Sequence, residues 1–390
     1  MKETRMDWFM FAIAAGLAVF GTMMVYSASA MLAHNETAGA SQFTYFYKQL
    51  GFTVGGIVLM YIVSRIDHEI YKYPYVVAVG LLATVAGLIA VFGFPAINGA
   101  QRWIRVGSFS LQPSEMAKIS LPIFLAYFLT RNSDRVGEIK ATVIPCLLIL
   151  GSLGGLVFLE PDLGTTIVLC AIFAAVYFAA GANLLHIGAI VGFLVTVGAA
   201  ALIFAPWRLR RLNAFVDPCS PENAAGAGYQ VCQSLYAIGS GGILGEGFAK
   251  GQQKLFYLPY PHSDFIFSVV GEELGLIGTL GLIAAFGLLL WRGARAALNA
   301  PNRFSMLLGI GIITGIIVQA LFNISVVLSI LPAKGIPLPF ISYGGSSVLV
   351  TLASVGILLN ISKTGVEDRS SRYDVAEVPV RRRKGKTGLR

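Results

Sequence analysis

The chain has 390 residues, 56% of them hydrophobic and only 13% charged, with a formal net charge of +9 and a mean hydropathy of +0.72. This composition excludes an ordinary soluble domain, and the apolar runs do not alternate as the strands of a closed barrel would. The class that remains is an all-α polytopic membrane protein.

A bilayer-spanning helix needs about 17–25 mostly apolar residues. Runs that meet this need fall at residues 8–30, 48–64, 75–94, 114–130, 142–159, 163–180, 184–206, 265–291, 305–328 and 345–362, which predicts about ten transmembrane helices. The second is short and is interrupted by Gly51, Gly55 and Gly56. The first has no small-residue cleavage site close behind a short core, so it reads as a retained anchor rather than a signal peptide. With residues 1–7 inside, an even number of crossings returns the chain to the inner face. Residues 8–362 then form the membrane domain, and 363–390 a basic inner tail. Basic residues test this orientation. The proposed inner side carries Lys2, Arg5, Arg65, Lys72, Arg131, Arg135, Lys140, Arg292, Arg295 and Arg303, while the short outer loops carry Lys48, Arg102, Arg105 and Lys334. That bias follows the positive-inside rule. The tail run Arg381-Arg382-Arg383-Lys384 reads as a solvated end drawn to anionic membrane lipid, not as a nucleic-acid-binding arm.

Three outer segments are large enough to build a site: 95–113, 207–264 (the large loop between the seventh and eighth spans) and 329–344. All are rich in glycine, proline and aromatic residues. Together they supply Arg102, Arg105, Arg208, Arg210, Arg211, Lys250, Lys254 and Lys334 against few acids, which suits an anionic ligand at the membrane surface such as a lipid phosphate or diphosphate. Each of these cations could equally serve as an interfacial anchor. The run Gly239-Ser240-Gly241-Gly242-Ile243-Leu244-Gly245-Glu246-Gly247 could approach phosphate oxygens, but a tightly turned re-entrant loop explains it better. Cys146 and Cys170 fall within spans. Cys219 and Cys232 share the long outer loop, where an oxidising compartment would permit a bridge that spacing alone does not establish. The scattered cysteines and histidines make no metal-ligand pattern, so no cofactor is expected, although a divalent cation could accompany a diphosphate.

Asp264 stands where the long loop enters an apolar helix expected to run unbroken through 291. Its plain role would be to cap that helix, and its functional role would be that of a general base. Glu272 lies about 12 Å further along, at a depth that demands a partner. Lys118 is the natural candidate, with Glu115 one turn earlier on the same face. Glu272, Lys118, Glu115 and Asp162 read as structural support, and Asp264 as the catalytic residue.

The motifs, taken in order, resemble the SEDS family (shape, elongation, division and sporulation). They are Asn98-Gly99-Ala100-Gln101-Arg102-Trp103-Ile104, Gln112-Pro113-Ser114-Glu115, Glu160-Pro161-Asp162-Leu163-Gly164-Thr165, Gly228-Tyr229-Gln230, Gln233-Ser234, the 239–247 glycine loop, His262-Ser263-Asp264-Phe265-Ile266-Phe267 and Pro339-Phe340-Ile341-Ser342-Tyr343-Gly344-Gly345-Ser346-Ser347. The resemblance covers about residues 10–362. It implies a ten-span fold and a glycosyltransferase that polymerises lipid II on the outer face of the bacterial cytoplasmic (inner) membrane. A class B penicillin-binding protein would crosslink the strands. The family's essential aspartate falls on Asp264, its functional tryptophan on Trp103 and its intramembrane glutamate on Glu272. Arg102, Arg210, Arg211, Lys334 and His262 join Trp103 as expected binders of lipid II and of the polyprenyl-diphosphate-linked glycan. Gln253-Lys254-Leu255-Phe256-Tyr257-Leu258-Pro259 and Lys334-Gly335 look like the division-type branch, which would work at the septum with other divisome proteins. Ile336-Pro337-Leu338 is partly like the elongation-type branch, and Ser263 replaces a commoner threonine. A lipid flippase and a non-catalytic scaffold are the competing readings. No internal repeat marks a transporter.

Overall fold

A computed structural model describes residues 6–96, 99–107, 109–183, 185, 188, 192, 196 and 214–375, with side chains as far as 363. Ten α-helices are described: α1 (Trp8–Glu36), α2 (Thr44–Arg65), α3 (Pro74–Ala90), α4 (Pro113–Arg131), α5 (Ile144–Leu159), α6 (Leu163–Ala179), α7 (Tyr229–Gly241), α8 (Ile266–Leu298), α9 (Arg303–Val327) and α10 (Gly345–Val375). A two-stranded antiparallel hairpin, β1 (Ile104–Val106) and β2 (Phe109–Leu111), lies in the α3–α4 connection. Among the described residues, seven helical stretches are long and apolar enough to cross a membrane. The shorter α6 and the polar-bearing α4 coincide with two further expected spans. The chain is a multi-pass membrane protein. The expected span at 184–206 lies outside the described residues apart from single positions, and so do Arg208, Arg210 and Arg211.

Helix starts follow capping chemistry. Asp7 Oδ1 accepts from the Met10 amide at 3.0 Å, and Asn302 Oδ1 from the Ser305 amide at 3.0 Å. Pro74 and Pro113 sit in the first turns of α3 and α4, where the missing N–H costs nothing. The glycines at 51, 55 and 56 do not break α2, because α2 packs along α10 and Gly56 lets Leu352 approach. α9 and α10 are the most enclosed spans, while α2 and α3 keep broad apolar faces outward.

The loops sort into two ends. At one end Asp7 pairs with Arg292 at 2.6 Å, His68 bonds Asn360 and Ser305, and Arg303 donates to the Ala180 carbonyl. At the other end, Tyr45 meets His262, Ser342 bonds Ser263, Gly335 lies against Asp264, and Arg102 bonds the Glu160–Pro161 turn.

Two expectations change here. α8 is not uninterrupted: Gly275 has φ 65° and ψ −159°, which splits the helix. The glycine loop closes on that break. Glu246 and Gly247 amides donate to the Glu272 and Glu273 carbonyls at 3.0 Å each, and the Leu276 and Ile277 amides donate to Gly242 and Ile243 carbonyls at 2.9 and 3.3 Å. A broken helix at membrane depth survives only when such partners satisfy its freed groups. A Cβ on Gly245 would lie 2.2 Å from the Glu273 carbonyl oxygen, so glycine here permits the close backbone contact of a tightly turned re-entrant loop. Second, the long 207–264 segment is not all loop. It contains α7, which is tied to the preceding turn by a Cys219–Cys232 disulfide.

Candidate active site

Asp264 occupies the turn that enters α8, and its helix-capping role is not realised. Phe265 is the cap residue and makes no side-chain capping bond. The turn is instead fixed through its backbone. The Tyr343 amide donates to the His262 carbonyl at 2.9 Å, Ser342 Oγ to the Ser263 carbonyl at 2.6 Å, and Asn323 Nδ2 to the Asp264 carbonyl at 2.8 Å. Ser342 Oγ also accepts from the Leu338 amide at 2.7 Å, so one hydroxyl holds both strands of the crossing. The Asp264 carboxylate, half-buried, takes no hydrogen bond from a described residue. Burial pushes its pKa up to about 6, the Arg102 guanidinium pulls it back, and Asp162 adds to the rise. A carboxylate titrating there is ionised at neutral pH and basic enough to accept a proton.

Arg102 is delivered by the segment leading into β1. Its Nε donates to the Glu160 carbonyl at 3.1 Å and a terminal nitrogen to the Pro161 carbonyl at 2.5 Å, which pins the α5–α6 turn beside Asp264. Trp103 follows, half-buried. Lys334 is half-buried next to Gly335, where an added Cβ would lie 2.7 Å from Asp264 Oδ2. Asp264, Arg102 and the Lys334–Gly335 loop therefore converge, with Trp103 adjacent. His262 is placed differently from a solvent-facing cation. Its ring lies 5.2 Å from Tyr45 and 5.7 Å from Tyr343, and burial lowers its pKa to about 4, so it is neutral.

The supporting residues are rearranged relative to expectation. Lys118 does not meet Glu272. It pairs with Glu115 Oε2 at 2.7 Å and donates to Gln319 Oε1 at 2.5 Å, and Gln319 Nε2 reaches the Pro337 carbonyl at 2.8 Å. Glu272 Oε1 instead accepts from the Gln252 and Gln253 amides at 2.6 and 2.9 Å. The loop that closes the helix break reaches Glu272 before any side chain can. The buried ion pair in this region belongs to Glu273, whose Oε1 lies 2.5 Å from Lys254 Nζ and 2.5 Å from Ser27 Oγ. Lys254 is thus committed inside the fold and is not one of the surface cations. Asp162 makes no ion pair with a described residue but caps α6, accepting from the Thr165 amide at 3.1 Å and its hydroxyl at 2.9 Å. Glu160 is fully buried with neither side-chain oxygen bonded to a described residue, and burial, reinforced by Asp162 and opposed by Arg102, raises its pKa to about 8.

Sequence reasoning missed Asn323, Ser342 and Gln319, uncharged groups that place the loops around Asp264. A lone amide within an apolar span was the available signal for Asn323 and Gln319. Among the described residues no group of three His, Cys, Asp or Glu side chains is arranged to hold a metal ion.

This geometry has known counterparts. A family profile described as cell cycle protein, covering FtsW, RodA and SpoVE, matches residues 7–366. A Trichlorobacter lovleyi protein named "Probable peptidoglycan glycosyltransferase FtsW" is 40% identical over 367 residues, covering 91% of this chain and 93% of that protein. Stage V sporulation protein E of Bacillus subtilis is 37% identical, covering 95% and 99%. Among solved structures, a chain of a peptidoglycan synthase complex that coordinates polymerization and crosslinking superposes with TM-score 0.74 at 26% identity, covering 93% and 99%. The rod shape determining protein RodA of Thermus thermophilus superposes with TM-score 0.66 at 27% identity, covering 92% and 97%. The chain belongs to the FtsW/RodA/SpoVE family of cell cycle proteins, the SEDS fold that its motifs predicted.

Proposed function

We propose that this chain is a peptidoglycan glycosyltransferase that polymerises lipid II into glycan strands. Its FtsW-named relatives favour the division branch, with work at the septum alongside a crosslinking class B penicillin-binding protein. The observation that carries the reading is Asp264. It is a half-buried carboxylate with a pKa of about 6, on a turn held through three successive carbonyls, facing an arginine and a lysine–glycine loop.

In the step proposed, the Asp264 carboxylate takes the proton of the GlcNAc 4-hydroxyl of the incoming lipid II. The oxygen then attacks the anomeric carbon of the growing chain, and the bond from that carbon to the polyprenyl diphosphate breaks with inversion. A base so placed contributes about 10²–10⁴-fold. The departing diphosphate gains negative charge, which Arg102 and Lys334 would stabilise from the two flanking loops. Arg210 and Arg211 would add to this from the long loop. Trp103 would stack on a sugar face, and the neutral His262 would brace the turn instead of meeting phosphate. The topology read from the sequence puts this end on the extracytoplasmic face, where lipid II is consumed.

A broken helix with intramembrane acids also suits a transporter. Here, however, Glu273 is sealed by Lys254, and one oxygen of Glu272 by loop amides. The purified chain with its partner transpeptidase and lipid II should form glycan polymer. Translocation of lipid II across vesicles without polymer would reject the enzyme reading in favour of the flippase.

A further inference from the structure

Asn323 lies near the end of α9 within the run Ala320-Leu321-Phe322-Asn323-Ile324, and only 1% of its surface is exposed. Its side-chain nitrogen has two protons and both are used, one toward the Asp264 carbonyl at 2.8 Å and one toward the Ile336 carbonyl at 2.7 Å. Carbonyls only accept, so these partners fix which way the amide faces. Its Oδ1 is buried with no donor among the described residues. A leucine of similar size would fill this apolar span as well, though it would take the donor from both carbonyls, so the packing of α9 alone does not account for an asparagine. The residues it joins do account for one. Asp264 and Ile336 belong to different loops, and their junction sets Gly335 against the Asp264 carboxylate.

We infer that Asn323 is a positioning residue for the glycosyl transfer, holding the Asp264 carboxylate in register with the Lys334–Gly335 loop through two donated hydrogen bonds. The inference rests on Asp264 being the base. The Ser342 and Tyr343 bonds fix the two residues before Asp264, whereas Asn323 holds Asp264 itself and also grips the second loop. Without that link the 263–265 backbone can rotate, carrying the carboxylate away from the attacking hydroxyl and toward water.

The test is lipid II polymerisation by the full chain with its transpeptidase partner across pH 5–9, using Asn323→Leu, Asn323→Ser, Asn323→Gln and, in parallel, Asp264→Asn. Asn323→Leu should lower kcat by about 10–100-fold with KM little changed, since a misplacement near 1 Å costs about that much. Its acidic limb should move below that of the wild type as the carboxylate gains water. Asn323→Ser keeps one donor and should fall between Leu and wild type, giving the same comparison if the leucine variant does not fold. Asn323→Gln keeps both donors and should recover most of the rate. Unchanged kcat, or a loss that tracks folded protein with the acidic limb unmoved, would overturn the inference. Wild-type rates in Asp264→Asn would instead defeat the assignment of the base, whatever the Asn323 variants do.

Discussion

Gly335→Ala isolates the placement of the Asp264 carboxylate from the rest of the fold. Gly335 is exposed and its backbone needs no glycine conformation, so alanine brings no strain of its own. Its new methyl would lie 2.7 Å from Asp264 Oδ2, whereas ordinary contact begins at 3.4 Å, so the carboxylate must retreat by about 0.7 Å. The colliding atom is the far end of a short side chain, which can yield by leaving its rotamer at a cost of about 0.5–1.5 kcal/mol. Thermal unfolding in detergent micelles should therefore change by only ~1 kcal/mol. Catalysis should change far more. A displacement approaching 1 Å costs up to about 10²-fold in rate, or ~2.7 kcal/mol of barrier. Polymer formed per minute from lipid II, normalised to folded complex, measures this directly. Wild-type polymerisation by a stably folded Gly335→Ala protein would refute the convergence of these two loops on the reacting atoms.

Other outcomes follow from the same geometry. Because the folded pKa of Asp264 is raised to about 6 from 3.8, polymerisation should fall as pH drops through 6. The folded state binds the proton more tightly than the unfolded chain does, so this residue's contribution to stability declines as pH rises from about 4 to 6. Asp264→Asn should accordingly unfold at higher temperature at neutral pH, by at most ~3 kcal/mol before solvent screening, while losing activity. Gly275→Ala would put its Cβ 2.4 Å from the Gly245 nitrogen at a φ of 65° and should destabilise the chain by at least ~2 kcal/mol, seen as lost expression or a lowered unfolding temperature. Lys254→Met strands the buried Glu273 and should cost about 3–5 kcal/mol, and adding Glu273→Gln should restore much of that loss.

The described spans and the candidate aspartate stand out in the sequence for different reasons. Apolar runs of membrane length announce themselves by composition, and Asp264 by its place where a polar loop becomes an apolar helix. The break at Gly275 was hidden because a split helix at membrane depth has the same apolar composition as an intact one. The glycine loop that satisfies it lies some 30 residues earlier. Glu272 illustrates a second limit. A buried acid suggests a cation as its partner, yet the amides of Gln252 and Gln253 serve, and backbone donors leave no trace in residue type. Asn323 and Ser342 carry no charge, and although an amide in an apolar span stands out, residue type does not say which groups it bonds. Their importance lies in which two loops they touch, a property of the packed fold.

The reading of Asp264 as base is tested most directly by comparing wild type with Asp264→Asn in reconstituted polymerisation of lipid II, with the transpeptidase complex confirmed intact in each sample. Asparagine keeps the shape and backbone bonds of residue 264 but cannot take the hydroxyl proton. The expected result is an assembled, folded complex that makes no glycan polymer. Polymer at the wild-type rate from Asp264→Asn would contradict the proposed mechanism.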